Sequence, residues 1–327
     1  MKRRDVLRLG LAGSATLALG PGLSRAQGRF PERPIRLVLP YVAGGPTDLV
    51  ARKYAQKLGL LAGQPVVVES RPGADGAIGA AEVARAAPDG HTLLFGTSSI
   101  SIITPALMEK PTYDPGKDFA HLAVLGTQSL ALVVSSELPV KDLRDLVGQI
   151  RANPGKFSFA GASSVARLTA LLFARQAGGL DMIDIPYKGS GQALQDFLAN
   201  RVHLYPAAIG SVLNLHRAGK ARILAVCAEK RVRILPEVPT AIEAGVPDMI
   251  ISTFNVLSAP AATPQPVVDQ IAQYNVKIAA DEAFAQDLEA AGIEALIDAS
   301  PSRTTRQINE AAVRLAPVIR SIRGKGS

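Results

Sequence analysis

The chain of 327 residues has one cysteine and no tryptophan. With Cys227 alone, no disulfide can close within the chain, so the fold must rest on packed cores. Cys227 sits in the apolar run Ile223-Leu224-Ala225-Val226-Cys227-Ala228. An unpaired cysteine there behaves as a small core residue rather than a nucleophile. Aromatic residues make up only 5% of the chain, which disfavours a cage of stacked rings around a ligand. The four histidines are His91, His121, His203 and His216. None lies three or four residues from another or from the cysteine, so metal-ligand spacing is missing. His91 follows Asp89-Gly90 in a turn and is expected at the surface.

Several chemistries are absent as motifs. Gly189-Ser190-Gly191 lacks the third glycine of a dinucleotide fingerprint, because Leu194 stands in its place. Gly161-Ala162-Ser163-Ser164-Val165 does not end in the glycine that a serine-hydrolase elbow needs. No Gly-Lys pair carries the preceding glycine of a Walker A loop. Nothing repeats with a period of about 20 to 50 residues, which excludes a solenoid. An acid–base enzyme places a histidine or paired carboxylates in its cleft. Here only Asp48 qualifies by position, and that shortage favours binding over catalysis.

The first apolar run, Leu9 to Ser24, is 16 residues long, short of the about 20 that a membrane span requires. It follows Lys2-Arg3-Arg4 and precedes Ser24-Arg25-Ala26, a small-x-small cut site. Residues 1–26 therefore read as an export signal, cut between Ala26 and Gln27. Arg3-Arg4 also fits a twin-arginine signal, so the Sec and twin-arginine routes both stay open. The formal charge of +8 includes a surplus of four in residues 1–26, so the mature chain is near +4. Basic and acidic residues alternate along it, without the aromatic-plus-basic stripe of a nucleic-acid binder. No nucleic-acid partner and no cofactor are expected.

Apolar runs of strand length recur at 35–40, 66–69, 92–96, 131–135, 157–161, 183–187, 203–207, 223–228 and 250–258. Helical spacing lies between them: Val50, Tyr54, Leu58 and Leu61; Leu168, Leu171 and Leu172; Leu194, Phe197 and Leu198. A last helix carries Ile308, Ala312, Leu315, Ile319 and Ile322, with a kink expected at Pro317. Strands alternating with helices predict an α/β architecture with mostly parallel sheets. Length suits two domains. No soft linker separates them, so the chain is expected to cross twice, near 126–132 and 249–257. That makes the first domain discontinuous, 27–128 with 253–327, and the second 129–252.

Ligands of open α/β sheets bind where strands end and helices begin. Four such junctions carry glycines and hydroxyls. The first is Tyr41-Val42-Ala43-Gly44-Gly45-Pro46-Thr47-Asp48. Gly44 and Gly45 let a ligand approach the backbone amides. Pro46 suits a first helical turn, and the helix start adds about half a positive charge. Asp48 reads either as a ligand contact or, as its place in the first turn favours, as compensation of the helix dipole. The other junctions are Gly96-Thr97-Ser98-Ser99, Gly161-Ala162-Ser163-Ser164 and Tyr187-Lys188-Gly189-Ser190-Gly191. Each alone is a plain N-cap. Together they form the equipment for holding a carboxylate on amides and hydroxyls.

Further stretches carry a resemblance. They include Val67-Val68-Glu69-Ser70-Arg71-Pro72-Gly73-Ala74-Asp75-Gly76, Ala86-Ala87-Pro88-Asp89-Gly90-His91, Asn153-Pro154-Gly155-Lys156, Pro186-Tyr187-Lys188-Gly189-Ser190 and Pro236-Glu237-Val238-Pro239-Thr240. With the first junction they resemble, in order and over essentially the whole mature chain, the substrate-binding proteins of tripartite tricarboxylate transporters, the Bug family. The resemblance implies a type II periplasmic-binding-protein fold, two α/β domains with a ligand cleft between them. It implies a periplasmic protein, expected as a monomer, that captures a small carboxylated solute for membrane permease subunits. A sensor subunit for a signalling receptor has the same cleft, and an enzyme acting on an acid through Asp48 or Lys188 is the remaining rival.

The site that the resemblance implies comprises Tyr41, Ala43, Gly44, Gly45, Thr47 and Asp48, with Thr97 and Ser98 nearby. The second domain would add Ser163, Ser164, Arg167, Tyr187, Gly189 and Ser190. The family's second-domain loop usually reads Gly-Asn-Gly-Thr and then His-Leu. Here it is shorter and poorer in glycine, and Arg167 stands where the histidine would be. Arg167 is either a second grip on a dicarboxylate or a surface arginine that snorkels to solvent.

Overall fold

A computed structural model describes residues 30–187, 190–295 and 300–323. The export signal, Lys188 and Gly189 lie outside the described residues. In chain order the first half contains β1 (Ile35–Leu39), α1 (Pro46–Ala62), β2 (Val66–Ser70), α2 (Ala77–Ala84), β3 (Thr92–Thr97), α3 (Thr104–Leu107), α4 (Pro115–Asp118), β4 (Phe119–Ser135) and α5 (Leu143–Ala152). There follow β5 (Ser158–Gly161), α6 (Ser164–Gln176), β6 (Ile183–Pro186), α7 (Ser190–Leu198), β7 (Leu204–Ala208), α8 (Ile209–Arg217) and β8 (Ala221–Val226). The chain then runs through β9 (Ser252–Pro260), α9 (Gln265–Ala279), α10 (Glu282–Ala290) and α11 (Pro301–Arg323).

Two α/β domains share the long strand β4. From Phe119 to Ser129 it pairs with β9. From Leu130 onward it pairs with β7 and β8 instead. Three backbone bonds close the handover: Leu130 N donates to Ile251 O, Ile251 N to Cys227 O, and Cys227 N to Leu130 O. The first sheet runs β2-β1-β3-β9-β4, and the second contains β4, β7, β5 and β6 with β8 on the other side of β4. The sheets are mixed, which corrects the expectation of mostly parallel pairing. Strands β1, β2 and β3 are mutually parallel, as are β5, β6 and β7. Every pair made by β4 or β9 is antiparallel. These two strands carry the chain across between domains, so they run against the strands that grow by helix crossovers.

Local sequence explains the elements that frame the cleft. Helix α1 starts at Pro46 after an extended Gly45 and ends at Gly63, whose left-handed backbone donates its N–H to Gly59 O. Its buried stripe is Val50, Ala51, Tyr54 and Leu58. Tyr54 donates to Asn275 Oδ1 on α9 at 2.6 Å. Helix α6 starts at the N-cap Ser163, whose side chain accepts from Ala166 N, and buries Leu168, Leu172 and Phe173. Each such side chain, fully buried, contributes about 1.5–3 kcal/mol. Helix α11 runs through Pro317. Its Ile308, Leu315 and Ile319 share one core with Leu168 and Leu172 and with Ile102 and Ile103, so it packs over the junction.

His91 is buried rather than at the surface. Phe30 packs its ring edge-on against it with centroids 5.1 Å apart. The turn at Asp89-Gly90 points the imidazole inward because Asp89 Oδ1 captures His91 N at 2.9 Å.

Candidate functional site

The first wall begins where β1 ends. The Tyr41 hydroxyl lies 2.7 Å from Thr97 Oγ1. Burial pushes the Tyr41 phenol up, and the charge of Asp75 pushes the same way, so it remains a neutral hydroxyl. Thr97 Oγ1 also accepts Ser99 N at 3.3 Å. Ser98 donates to Thr253 Oγ1 at 3.1 Å. Thr97 and Ser98 thus sit under the Tyr41 loop. Ala43 and Gly44 are exposed, while Gly45 and Thr47 are half-buried.

Asp48 is buried in the first turn of α1 and turned back on its own loop. Its Oδ2 accepts Gly44 N at 2.9 Å and Arg52 Nε at 3.0 Å. Burial disfavours its charge, but the Arg52 guanidinium and the Gly44 amide outweigh that and hold the carboxyl below the usual range. One amide of the cradle is therefore taken from within. The first helical bond is Leu49 N to Gly45 O. The amides of Thr47 and Asp48 precede it and face out of the helix start.

The second wall begins at α6. Ser163 Oγ accepts Ala166 N at 3.3 Å. Ser164 N donates at 3.1 Å to Asp75 Oδ2, across from the first domain. Arg167 donates to Asp184 on β6. Tyr187 donates its hydroxyl to Asp196 Oδ2 at 3.1 Å. Ser190 opens α7 and is exposed. Arg167 and Tyr187 thus spend their polar groups on their own domain, whereas Ser164 reaches the other.

Asp75 was not singled out in the sequence. It lies in a single 3-10 turn, Ala74–Gly76, with φ +52°. Gly73, Ala74 and Gly76 also have positive φ. Thr104 donates to Asp75 Oδ2 at 3.2 Å, beside the bond from Ser164 N. Burial pushes the Asp75 carboxyl up, partly offset by these donors. No basic side chain bonds it among the described residues. The available signal was a carboxylate flanked by glycines directly before a helix.

A polar floor was also missed. Asn255 lies opposite Thr97, and Thr253 opposite Gln128. Directly opposed residues share a sheet face, so Thr97, Asn255, Thr253 and Gln128 line one side. Asn255 is 0% exposed, with both amide atoms unpaired within the protein, and Gln128 Oε1 is likewise unpaired. Buried polar atoms of this kind need a partner. The signal was a lone amide inside the apolar run 250–258. The start of α8 closes the far side: a Cβ on Gly210 would meet Ala291 O at 2.1 Å and Pro46 Cβ at 3.4 Å. A separate open groove of roughly 400 Å³ beside Leu60, Leu61 and Tyr274 lies at the other end of α1.

Residues 50–323 match the family model described as tripartite tricarboxylate transporter family receptor. The chain belongs to this family. Protein BugT of Bordetella pertussis is 34% identical over 300 residues, 90% of this receptor and 91% of BugT. An R. palustris protein solved with adipate shares 31% identity at a TM-score of 0.84, over 89% of this receptor and 97% of that chain. MatC from Rhodopseudomonas palustris, with bound malate, shares 31% at 0.81, over 89% and 100%. The receptor is an extracytoplasmic solute-binding protein of the periplasm and not an enzyme. No cluster of His, Cys, Asp and Glu able to hold a metal ion occurs among the described residues.

Proposed function

We propose that this receptor captures a small organic carboxylate between its two domains and presents it to the membrane permease subunits of a tripartite transporter. The observation that carries the reading is the pair of relatives, similar over 89% of this chain, that hold malate and adipate. The local geometry supports it. The start of α1, the Tyr41–Thr97 pair and the unpaired Asn255 amide offer donors to one carboxylate without a dedicated cation. In this reading the direct contacts come from Tyr41, Ala43, Gly44, Gly45, Thr47, Thr97, Ser98 and Asn255 on one side and from Ser163 on the other, with Ser164 holding Asp75. Asp48, Arg167, Tyr187 and Ser190 shape the walls.

A thermal-shift screen of mono-, di- and tricarboxylates, followed by calorimetry on the hits, tests it. A carboxylate at 100 times its Kd should add about 2.7 kcal/mol of stability. If neutral or cationic solutes stabilise the receptor and no carboxylate does, the reading is wrong.

The domains in this proposal are 27–128 with 253–327, and 129–252, with α11 lying over their junction. The mature receptor acts as a monomer and has no nucleic-acid partner, in keeping with its small and mixed net charge. Light scattering checks the first point. Export uses either the Sec or the twin-arginine route, and Arg3-Arg4 separates them. Replacing both with lysine blocks it if the route is twin-arginine and spares it if the route is Sec.

A further inference from the structure

We propose that Asp75 is a specificity-determining residue that stands where a second ligand carboxylate would lie, so the receptor selects solutes with one carboxylate and an uncharged far end. This rests on the carboxylate reading above. The positive start of α6 is the natural place in the second wall for the far end of a diacid. Among its first four amides, all but Val165 N are already committed. Ser164 N serves Asp75. Ala166 N serves Ser163 Oγ, and Arg167 N serves Ser163 O.

The nearby cations are committed too. Arg167 is bonded to Asp184 and Arg52 to Asp48. A second carboxylate arriving here meets a half-buried carboxylate that no described basic side chain neutralises. Like charges held close in a partly buried site repel strongly. A hydroxyl or amide at the same place can instead donate to Asp75.

The backbone keeps Asp75 in position. Four successive residues, Gly73 to Gly76, have φ of +130°, +47°, +52° and +89°. Such a run is costly outside glycine, and aspartate tolerates it better than most residues. A Cβ on Gly76 would meet Ile100 Cδ1 at 2.4 Å, so the turn is packed against the core. The strain is spent on aiming one carboxylate at the other domain.

The test is calorimetry with a length series of α,ω-diacids from malonate to adipate, each against its own monoamide. The pairs differ in one charge and little in shape. Parent, Asp75→Asn and Asp75→Gly are compared. The glycine variant accepts positive φ, so it folds even if the asparagine variant does not. In the parent, the best monoamide should bind at least tenfold more tightly than its diacid. Both variants should narrow that gap at least fivefold, by gaining diacid affinity. A parent that binds a diacid as tightly as its monoamide overturns the assignment, and so does a gap unchanged in both variants. In either case the carboxylate reading survives. If neither series binds the parent in a competence-checked preparation, both readings fall together.

Discussion

The starts of α1 and α6, the two walls of the proposed cleft, carry the same positive field, and each is compensated by a carboxylate of the chain itself. At α1 the compensation is local. Asp48 sits in the first turn and takes the amide of Gly44, four residues back. At α6 it comes from Asp75, 89 residues away in sequence. The first arrangement stabilises one loop and would exist in an isolated domain. The second links two domains and changes what the cleft can accept. The start of α8 is a third case. Among the described residues no carboxylate serves it, and it meets the Ala291–Gly292 backbone at contact distance. Equal electrostatic positions have therefore become a loop brace, a selectivity element and a contact surface.

The largest effect is expected at that third helix start. Gly210→Val places its Cβ 2.1 Å from the Ala291 carbonyl oxygen. Neither partner is a flexible side-chain tip, so the backbones must separate. We expect a loss of about 3 kcal/mol in urea denaturation, with a larger radius of gyration in small-angle scattering. Stability within about 0.5 kcal/mol of the parent would show that the two domains are not packed together here.

Acid separates the local brace from the rest of the domain. Burial pushes the His121 imidazole down to about 4, against about 6.5 when unfolded. Below pH 6.5 the unfolded chain takes up a proton that the folded chain refuses. Stability should fall from pH 6.5 to about 4, by on the order of 3 kcal/mol, and then level. Asp48 works in a lower window. Its folded pKa is depressed, so its contribution is present above the ordinary carboxylate range and is lost only as pH falls through the folded value. His121→Gln should shrink the upper loss to the part left by His203, whose imidazole burial also pushes down, and leave the lower window. Persistence of the whole upper loss in that variant would assign it elsewhere.

The two glycines of the α1 brace should then part company. Gly44 has φ +89° and Gly45 has φ −83°, with nothing within 4 Å of a Cβ on either. Gly44→Val carries a backbone penalty of about 1–2 kcal/mol and disturbs the amide bonded to Asp48. Gly45→Val should cost below about 0.5 kcal/mol. Melting of the two variants decides it. An equal loss would mean that Gly45 is required for close approach of another group rather than for its backbone angle.

These differences track what a sequence can reveal. All nine strand positions were visible as apolar runs, and the α1 start was visible in Gly45-Pro46-Thr47-Asp48, because both signals are local. The first part of β4 was not, since His121, Gly126, Thr127 and Gln128 interrupt its apolar pattern. It is a strand because β9, more than a hundred residues later, pairs with it. The same limit applies to the site. Tyr41, Thr97 and Ser164 were found at strand ends, where helix starts advertise them. Asp75, Thr253 and Asn255 acquire meaning only from partners distant in sequence. The apolar face of α11 was legible, whereas its position over both domains was not.

The smallest expected effect concerns Arg167, whose sequence left two roles open. Its guanidinium is bonded to Asp184, whose Oδ1 is buried without a partner. A Cβ on Gly161 would meet that same Oδ1 at 2.6 Å, so Asp184 is confined beside the β5 end. Arg167 is about half exposed, and such pairs contribute about 0–1 kcal/mol. Arg167→Gln should therefore lower stability by less than about 1 kcal/mol and leave the affinity for the best monoamide within twofold. Asp184→Asn is the sharper half of the pair. It frees the arginine without moving it far, and a free cation beside α6 should favour diacids, in the same direction as Asp75→Asn. A tenfold loss of affinity in Arg167→Gln would instead mean that the arginine reaches the solute despite Asp184, and the second wall would then hold a charge of its own.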